Sequence, residues 1–168
     1  MKNTLHIEAK TEMRIRKPAA QVYEAFVDPA ITTKFWFTKS SGRLEPGANV
    51  RWDWELYDVF VNVTVKALEP GQRILIEWSS PGEEPTNVEW VFTSRADSTT
   101  FVTIRNYGFK GELEEVAQQA IASTEGFTFV LAGLKALLEH NVRLRLIEDR
   151  HPDGLAQASA ASPSSKRA

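Results

Sequence analysis

Residues 123–141 read STEGFTFVLAGLKALLEHN. The large apolar residues fall at Phe127, Val130, Leu131, Leu134, Leu137 and Leu138, the i, i+3, i+4, i+7 recurrence of one helical face. Glu125, Thr128, Lys135 and Glu139 take the opposite side. No proline interrupts the stretch, and Asn141 follows as a left-handed cap. Burying each of these side chains contributes roughly 1.5–3 kcal/mol. The segment therefore predicts a helix that needs a facing surface, and upstream the chain is almost all strand.

The surface is best read from residues 50–65. Val50, Trp52, Trp54 and Leu56 alternate with Arg51, Asp53 and Glu55; Val59, Val61, Val63 and Val65 alternate with Phe60, Asn62 and Thr64. A two-residue turn at Tyr57-Asp58 would pair Leu56 with Val59, Trp54 with Val61, Trp52 with Val63 and Val50 with Val65. Every apolar residue then meets another on one face. Further alternating runs follow at Ile74–Trp78, Val88–Phe92 and Thr99–Asn106, joined by short turns such as Glu69-Pro70-Gly71. This spacing predicts an antiparallel meander with one covered face. Before it lie a first strand within Thr4–Arg16, a helix over Pro18–Val27, and a second short helix over Pro29–Trp36 capped by Asp28. Leu44 is expected in a brief strand.

Leu113, Val116, Ala117, Ala120 and Ile121 form another amphipathic helical pattern. Joined to the first, it would make a rod of about 43 Å at 1.5 Å per residue, too long for a sheet of ordinary strands to cover. A break or kink near Ala122–Gly126 is therefore expected. Gly126 and Gly133 each lower helix propensity by roughly 1 kcal/mol, a cost best explained by close packing against a neighbour. After Asn141, Val142, Leu144 and Leu146 alternate with Arg143 and Arg145, so Val142–Ile147 is expected to be extended. Residues 1–152 form a single expected domain, and residues 153–168 an Ala/Ser-rich tail expected to be flexible.

Composition narrows the function. The 168 residues carry a formal net charge of −2, 42% hydrophobic and 25% charged residues, and no cysteine. Nothing here favours a nucleic-acid partner. Thiol catalysis and thiolate metal sites are excluded. The polar N-terminus has no apolar signal core, and no apolar run reaches the ~20 residues of a membrane span. A cytoplasmic location is the default expectation. His6, His140 and His151 are not at ligand spacing, and there is no phosphate loop or nucleophile elbow, so neither a metal nor another cofactor is expected.

The aromatic residues are more informative. Trp52, Trp54, Trp78 and Trp90 share the parity of the apolar face and should point toward the helix. They either fill the core or line a cavity suited to a flat ligand, held by stacking and an indole hydrogen bond. Trp36 falls at the cavity mouth or serves as a packing plug. Asn106 has inward parity and needs a hydrogen-bond partner, on the protein or on a ligand. Tyr107 and Phe127 lie near the same sheet-to-helix junction, and Leu131 and Leu134 complete the wall. Tyr57 is a turn residue or a lid. Arg105, Asp53 and Glu55 are read as outer-face charge.

The ordered set Pro18-x-x-x-Val22-Tyr23-x-Ala25-Phe26, Pro29, Phe35-Trp36, the tryptophan-bearing meander, Asn106-Tyr107-Gly108-Phe109 and Gly126-Phe127-x-x-x-Leu131-x-x-Leu134 resembles the activator of heat-shock protein 90 ATPase homologue family. That family belongs to the START-like, or SRPBCC, superfamily, which includes the birch-pollen allergen and polyketide cyclases. The resemblance covers roughly Leu5–Asp149. It implies an α+β helix-grip fold: a curved antiparallel sheet wrapped around a long C-terminal helix, with two short helices after the first strand. It also implies a cavity between sheet and helix for a small apolar or aromatic molecule. Many relatives carry histidine at position 106; the asparagine here cannot transfer a proton as histidine does. The family name implies heat-shock protein 90 as a partner. The eukaryotic activators use a separate N-terminal domain for much of that contact, and this sequence has no room for one.

Ligand binding without catalysis is therefore the leading expectation. An enzyme of the cyclase or hydrolase type is the first alternative. A co-chaperone or other interaction module is the second, with Phe60 and Val91 as its exposed apolar candidates.

Overall fold

The computed structural model describes residues 5–154. Seven strands form one antiparallel sheet: β1 (Ala9–Ile15), β2 (Lys39–Ser40), β3 (Asn49–Trp54), β4 (Val59–Glu69), β5 (Arg73–Ser79), β6 (Thr86–Ser94) and β7 (Thr100–Tyr107). Their order is β1-β7-β6-β5-β4-β3-β2, so the meander runs from β2 to β7 and the first strand closes on the last. The helices are α1 (Ala19–Val27), α2 (Pro29–Thr32), α3 (Leu113–His140) and α4 (Leu146–Arg150). The helix-grip arrangement is thus present: the long helix lies on one sheet face, and α1 and α2 close one end.

Alternation puts Ile74, Ile76, Val88, Trp90, Val102 and Ile104 on the covered face, all buried. Phe127, Val130, Leu131 and Leu134 of α3 meet them from the other side, also buried. At roughly 1.5–3 kcal/mol per side chain, this contact dominates the fold. It also accounts for the composition of α3. That helix is long and apolar enough to cross a bilayer, but it lays its apolar stripe on the sheet.

Local chemistry sets the ends. Pro18 precedes α1 in extended conformation. The Asp28 carboxylate accepts from the Ala30 amide at 2.9 Å and starts α2, and Thr32 Oγ1 donates to the Ala25 carbonyl at 2.6 Å, locking the two helices together. α2 stops at Thr32, earlier than Trp36, and continues as turns in which the Trp36 amide donates to the Thr32 carbonyl at 3.0 Å. The brief strand after the helices is Lys39–Ser40, and Leu44 is a buried loop residue.

The hairpin register differs from the sequence expectation by two residues. Trp54 faces Val59, Trp52 faces Val61 and Val50 faces Val63. The connection is not two residues but a 3-10 turn, Glu55–Tyr57, followed by Asp58 in the left-handed region at φ 51°. A slip of two keeps every side chain on its own face, so the tryptophan face survives the error. Leu56 and Val59, expected as a pair, are left 44% and 38% exposed.

The expected break in the long helix is absent. α3 runs unbroken from a capping box at Glu112 and Glu115 to Asn141, which is left-handed at φ 53°. The length argument fails because the helix need not be covered along its whole length. Its first turns project past the sheet, with Leu113 and Ile121 64% and 70% exposed. Gly133 does pack closely, a Cβ there falling 3.3 Å from the Phe35 carbonyl oxygen, whereas Gly126 has no neighbour within 4 Å of that position. Residues 141–145 carry no regular structure, and Leu146–Arg150 is helical where an extended segment was expected. Arg145, at φ 57°, turns the chain into α4, which returns along α3 with Arg150 bonded to Glu125. Of the Ala/Ser-rich tail expected from residue 153, all beyond Gly154 lies outside the described residues.

Candidate functional site

The space between sheet and α3 is organised by Trp36. Its ring centroid lies 5.0 Å from Trp52, 5.6 Å from Phe127, 6.0 Å from Trp78, 6.1 Å from Trp90 and 6.3 Å from Trp54. The residue comes from the turns after α2, pinned by the Thr32 bonds, and reaches in between the strands and the helix. Trp52 and Trp90 are buried, while Trp54 and Trp78 are partly buried at the margin of the core. Leu131 and Leu134 lie fully buried in the same core. Phe26, part of the motif around α1, and Phe37, which carried no signal in the sequence beyond its apolar character, belong to this group. Phe37 stacks on Trp52 at 4.5 Å and Phe26 lies 5.7 Å from Trp90.

The polar atoms of this region are distributed unevenly. Trp78 Nε1 donates to Thr86 Oγ1 at 3.1 Å. Asn106 commits its side chain to the protein: Nδ2 donates to Thr86 Oγ1 at 2.9 Å and to the Asn87 carbonyl at 2.8 Å, and Oδ1 accepts from Ser123 Oγ at 2.8 Å. Both amide hydrogens are thereby used. Trp90 Nε1 is different. It is buried and has no acceptor among the described residues. Buried donors are nearly always paired, so this indole stands out.

Tyr107 follows Asn106 on β7 and alternates onto the outer face, with Arg105, rather than completing the inner wall. Arg105 pairs there with Glu8 at 2.7 Å. Asp53 also faces outward and holds Arg51 at 2.6 Å. Arg51 in turn lies 3.6 Å over the Phe60 ring, so Phe60 is capped by a cation, and Val91 is only partly exposed. Among the described residues the strongly exposed apolar ones are elsewhere, at Leu5, Ile121, Leu113, Val142, Leu56 and Leu144.

At the mouth, Trp36 and Trp54 reach a surface cleft of about 350 Å³. Phe35 and Leu56 extend its apolar wall; Lys34, Arg143, Arg145 and Glu148 form its rim. Tyr57 stands at the junction. Its hydroxyl donates toward the Ile147 and His151 carbonyls, 3.3 Å from each, and its ring meets His151 edge-on at 5.6 Å. Burial, then the carboxylates of Glu148 and Asp149, push its phenol pKa up. The rim residues were missed in the sequence because nothing in the spacing of 143–148 indicates that this segment folds back over the tryptophan end of the sheet. A second groove, of about 450 Å³, separates α3 from α4 beside Ile121, Phe129 and Ile147.

Comparison with solved structures gives the same architecture. Protein SSP2350 from Staphylococcus saprophyticus is 30% identical, with a TM-score of 0.70 over 83% of this chain and 96% of that one. DynU16, from the dynemicin biosynthetic locus, is 25% identical with a TM-score of 0.70; 81% of this chain is covered, and the chain spans about half of DynU16, 48%. The Aha1 dimer from Colwellia psychrerythraea shares the fold at 17% identity and a TM-score of 0.66, over 80% of this chain and 97% of that one. No curated protein matches the sequence. Residues 16–139 match the family described as activator of Hsp90 ATPase homolog 1-like protein, a span that takes in α1, the whole meander and nearly all of α3; the chain belongs to that family.

Proposed function

We propose that the protein binds a small apolar or aromatic molecule between the tryptophan face of the sheet and α3. The observation that carries this reading is the buried, unpartnered Trp90 Nε1 within a box of Phe26, Trp36 and Phe127 rings. Leaving such a donor unpaired costs about 1–3 kcal/mol. A ligand with a carbonyl or ether oxygen would remove that cost, and its apolar body would lie among rings that meet at tilted and edge-on angles. Trp36 occupies the middle of the box, so entry requires its side chain to move toward the mouth cleft. DynU16, from a biosynthetic locus, is in keeping with a small organic ligand.

The test is native mass spectrometry of the purified protein, together with titration of a small aromatic ketone by tryptophan fluorescence. A co-purifying molecule, or saturable quenching that weakens in Trp90→Phe while the fold persists, supports the reading. Absence of any bound or titratable molecule, or a Trp90→Phe affinity equal to that of the parent, sinks it.

A further inference from the structure

We infer that the mouth cleft selects an anionic ligand: a flat apolar body carrying a carboxylate, with the body on Trp36 and Trp54 and the carboxylate held by Arg143 and Arg145. This rests on the small-molecule reading above and adds the class of ligand, taken first at the mouth, before Trp36 moves and the box behind it opens. Several independent observations converge on it.

The first is charge. The chain as a whole is net −2, yet the cleft gathers Lys34, Arg143 and Arg145 against a single lining carboxylate, Glu148. Glu148 is only 3.8 Å from Arg145 and 41% exposed. Arg143 has no carboxylate within ion-pair distance among the described residues; it donates Nε to the Lys34 carbonyl at 3.2 Å. That bond anchors the base of the guanidinium and leaves its terminal nitrogens for a planar oxygen pair, the geometry at which arginine excels. Asp149, on α4, adds negative charge near Tyr57 but does not line the cleft.

The second observation is the contrast between floor and lip. The floor is aromatic, through Phe35, Trp36 and Trp54. The lip carries Leu56, 44% exposed, with Leu146 and Ile147 beside the arginines. A water-filled anion site would not need such a border, and a purely apolar site would not need three cations. A molecule with both characters satisfies both. The volume, about 350 Å³, lies at the small end of the ligand-pocket range of roughly 300–1,000 Å³, which favours one or two fused rings over a long chain.

The third is backbone geometry. Arg145 holds φ at 57°, a conformation uncommon for a non-glycine residue. It reverses the chain so that 143–148 folds back along the cleft, which brings both arginines to one rim.

The test compares 2-naphthoate with neutral 2-naphthalenemethanol, which have the same ring system, by tryptophan fluorescence titration of the full chain. The acid is expected to bind about tenfold more tightly than the alcohol. That preference should vanish in Arg143→Gln/Arg145→Gln and be kept only in part in Arg143→Lys/Arg145→Lys, which retains the charge but not the planar fork. Both arginines are exposed, so circular dichroism should report unchanged folds. Equal affinity for acid and alcohol overturns the anion selectivity while leaving the small-molecule reading intact. Retention of the preference in the glutamine pair overturns the assignment to these arginines. Failure of both probes to bind overturns both readings.

Discussion

The Ser123 hydroxyl donates to the Asn106 side-chain oxygen across 2.8 Å. That one bond joins the inner end of β7 to the middle of α3, and through Asn106 Nδ2 and Thr86 it reaches β6 and the Trp78 indole. The network sits where α3 leaves the sheet and its first turns run on uncovered. It therefore holds the helix at the point where hydrophobic burial ceases to do so.

Asn106→Ala should accordingly destabilise the protein more than Ser123→Ala. The first leaves the Asn87 carbonyl and Ser123 hydroxyl without their partner, at about 1–3 kcal/mol for a buried group left unpaired. The second leaves one group, the Asn106 side-chain oxygen, unpaired while both Nδ2 bonds remain, which places it at the low end of that range, about 1 kcal/mol. Chemical denaturation of both variants measures the difference, and the reverse order would contradict the network's proposed role.

Trp36→Ala is expected to cost about 3–5 kcal/mol, the range for truncating a large buried aromatic. Unlike a truncation elsewhere in the core, it empties the centre of a ring cluster that opens toward a cleft. Added indole should therefore recover part of the lost stability through preferential binding to the folded state. Thermal melts with and without indole decide this, with Phe92→Ala as a comparison in which no recovery is expected.

The two helix glycines should respond oppositely to alanine. At Gly126 a Cβ meets nothing within 4 Å, so Gly126→Ala should stabilise by about 0.5–1 kcal/mol through helix propensity alone. At Gly133 it would sit 3.3 Å from the Phe35 carbonyl oxygen and 3.4 Å from Phe35 Cβ. That crowding should cancel the gain or reverse it, and it would press on the turn that carries Trp36. Urea midpoints for the two variants check the sign at each site.

These cases show which parts of the structure the sequence could reveal. The sheet face was legible because period-two alternation survives a register slip of two: Trp52 points inward whether it faces Val63 or Val61. The helix end was legible because Asn141 is a left-handed cap with a local signature. The unbroken start of α3 was not legible, since whether a helix is covered depends on where the sheet ends. Nor was the rim of the cleft. Arg143 and Arg145 alternate with apolar residues as they would in a strand, and only the left-handed turn at Arg145 and the packing of α4 on α3 bring them to Trp36. Asn106 shows the limit of parity alone, which placed it inside without indicating that Thr86, Asn87 and Ser123 would engage it fully.

Tyr57→Phe should loosen the C-terminal segment over the cleft. Its hydroxyl contacts the Ile147 and His151 carbonyls at 3.3 Å each, long enough that the loss should be at most about 1 kcal/mol. The effect should be local. Amide exchange in residues 146–151 should accelerate while β6 and β7 remain protected. Uniform acceleration across the sheet would mean that the latch is part of the global fold.

Acid sensitivity should concentrate at Glu139. Its carboxylate accepts from Lys135 Nζ at 2.6 Å and from the Arg16 amide at 3.1 Å, with Arg16 Nε 3.9 Å away. Burial acts to raise its pKa, but the bonds to Lys135 and Arg16 and the nearby positive charges outweigh it, so the net shift is below the ordinary 4.5. A carboxyl depressed on folding contributes stability above its unfolded pKa and loses it as pH falls through the folded value. The parent should thus lose this contribution progressively below about pH 4.5, as the bridge between the first strand's exit and the last turns of α3 is protonated. Glu139→Gln should be less stable than the parent at pH 7, and the gap should close on acidification. The side chain is only 7% exposed, so the difference should also persist in moderate salt, where exposed pairs such as Lys110–Glu84 are screened. Unfolding free energies of parent and variant between pH 3 and 7 measure it; a gap independent of pH would show that packing, not charge, holds Glu139 in place.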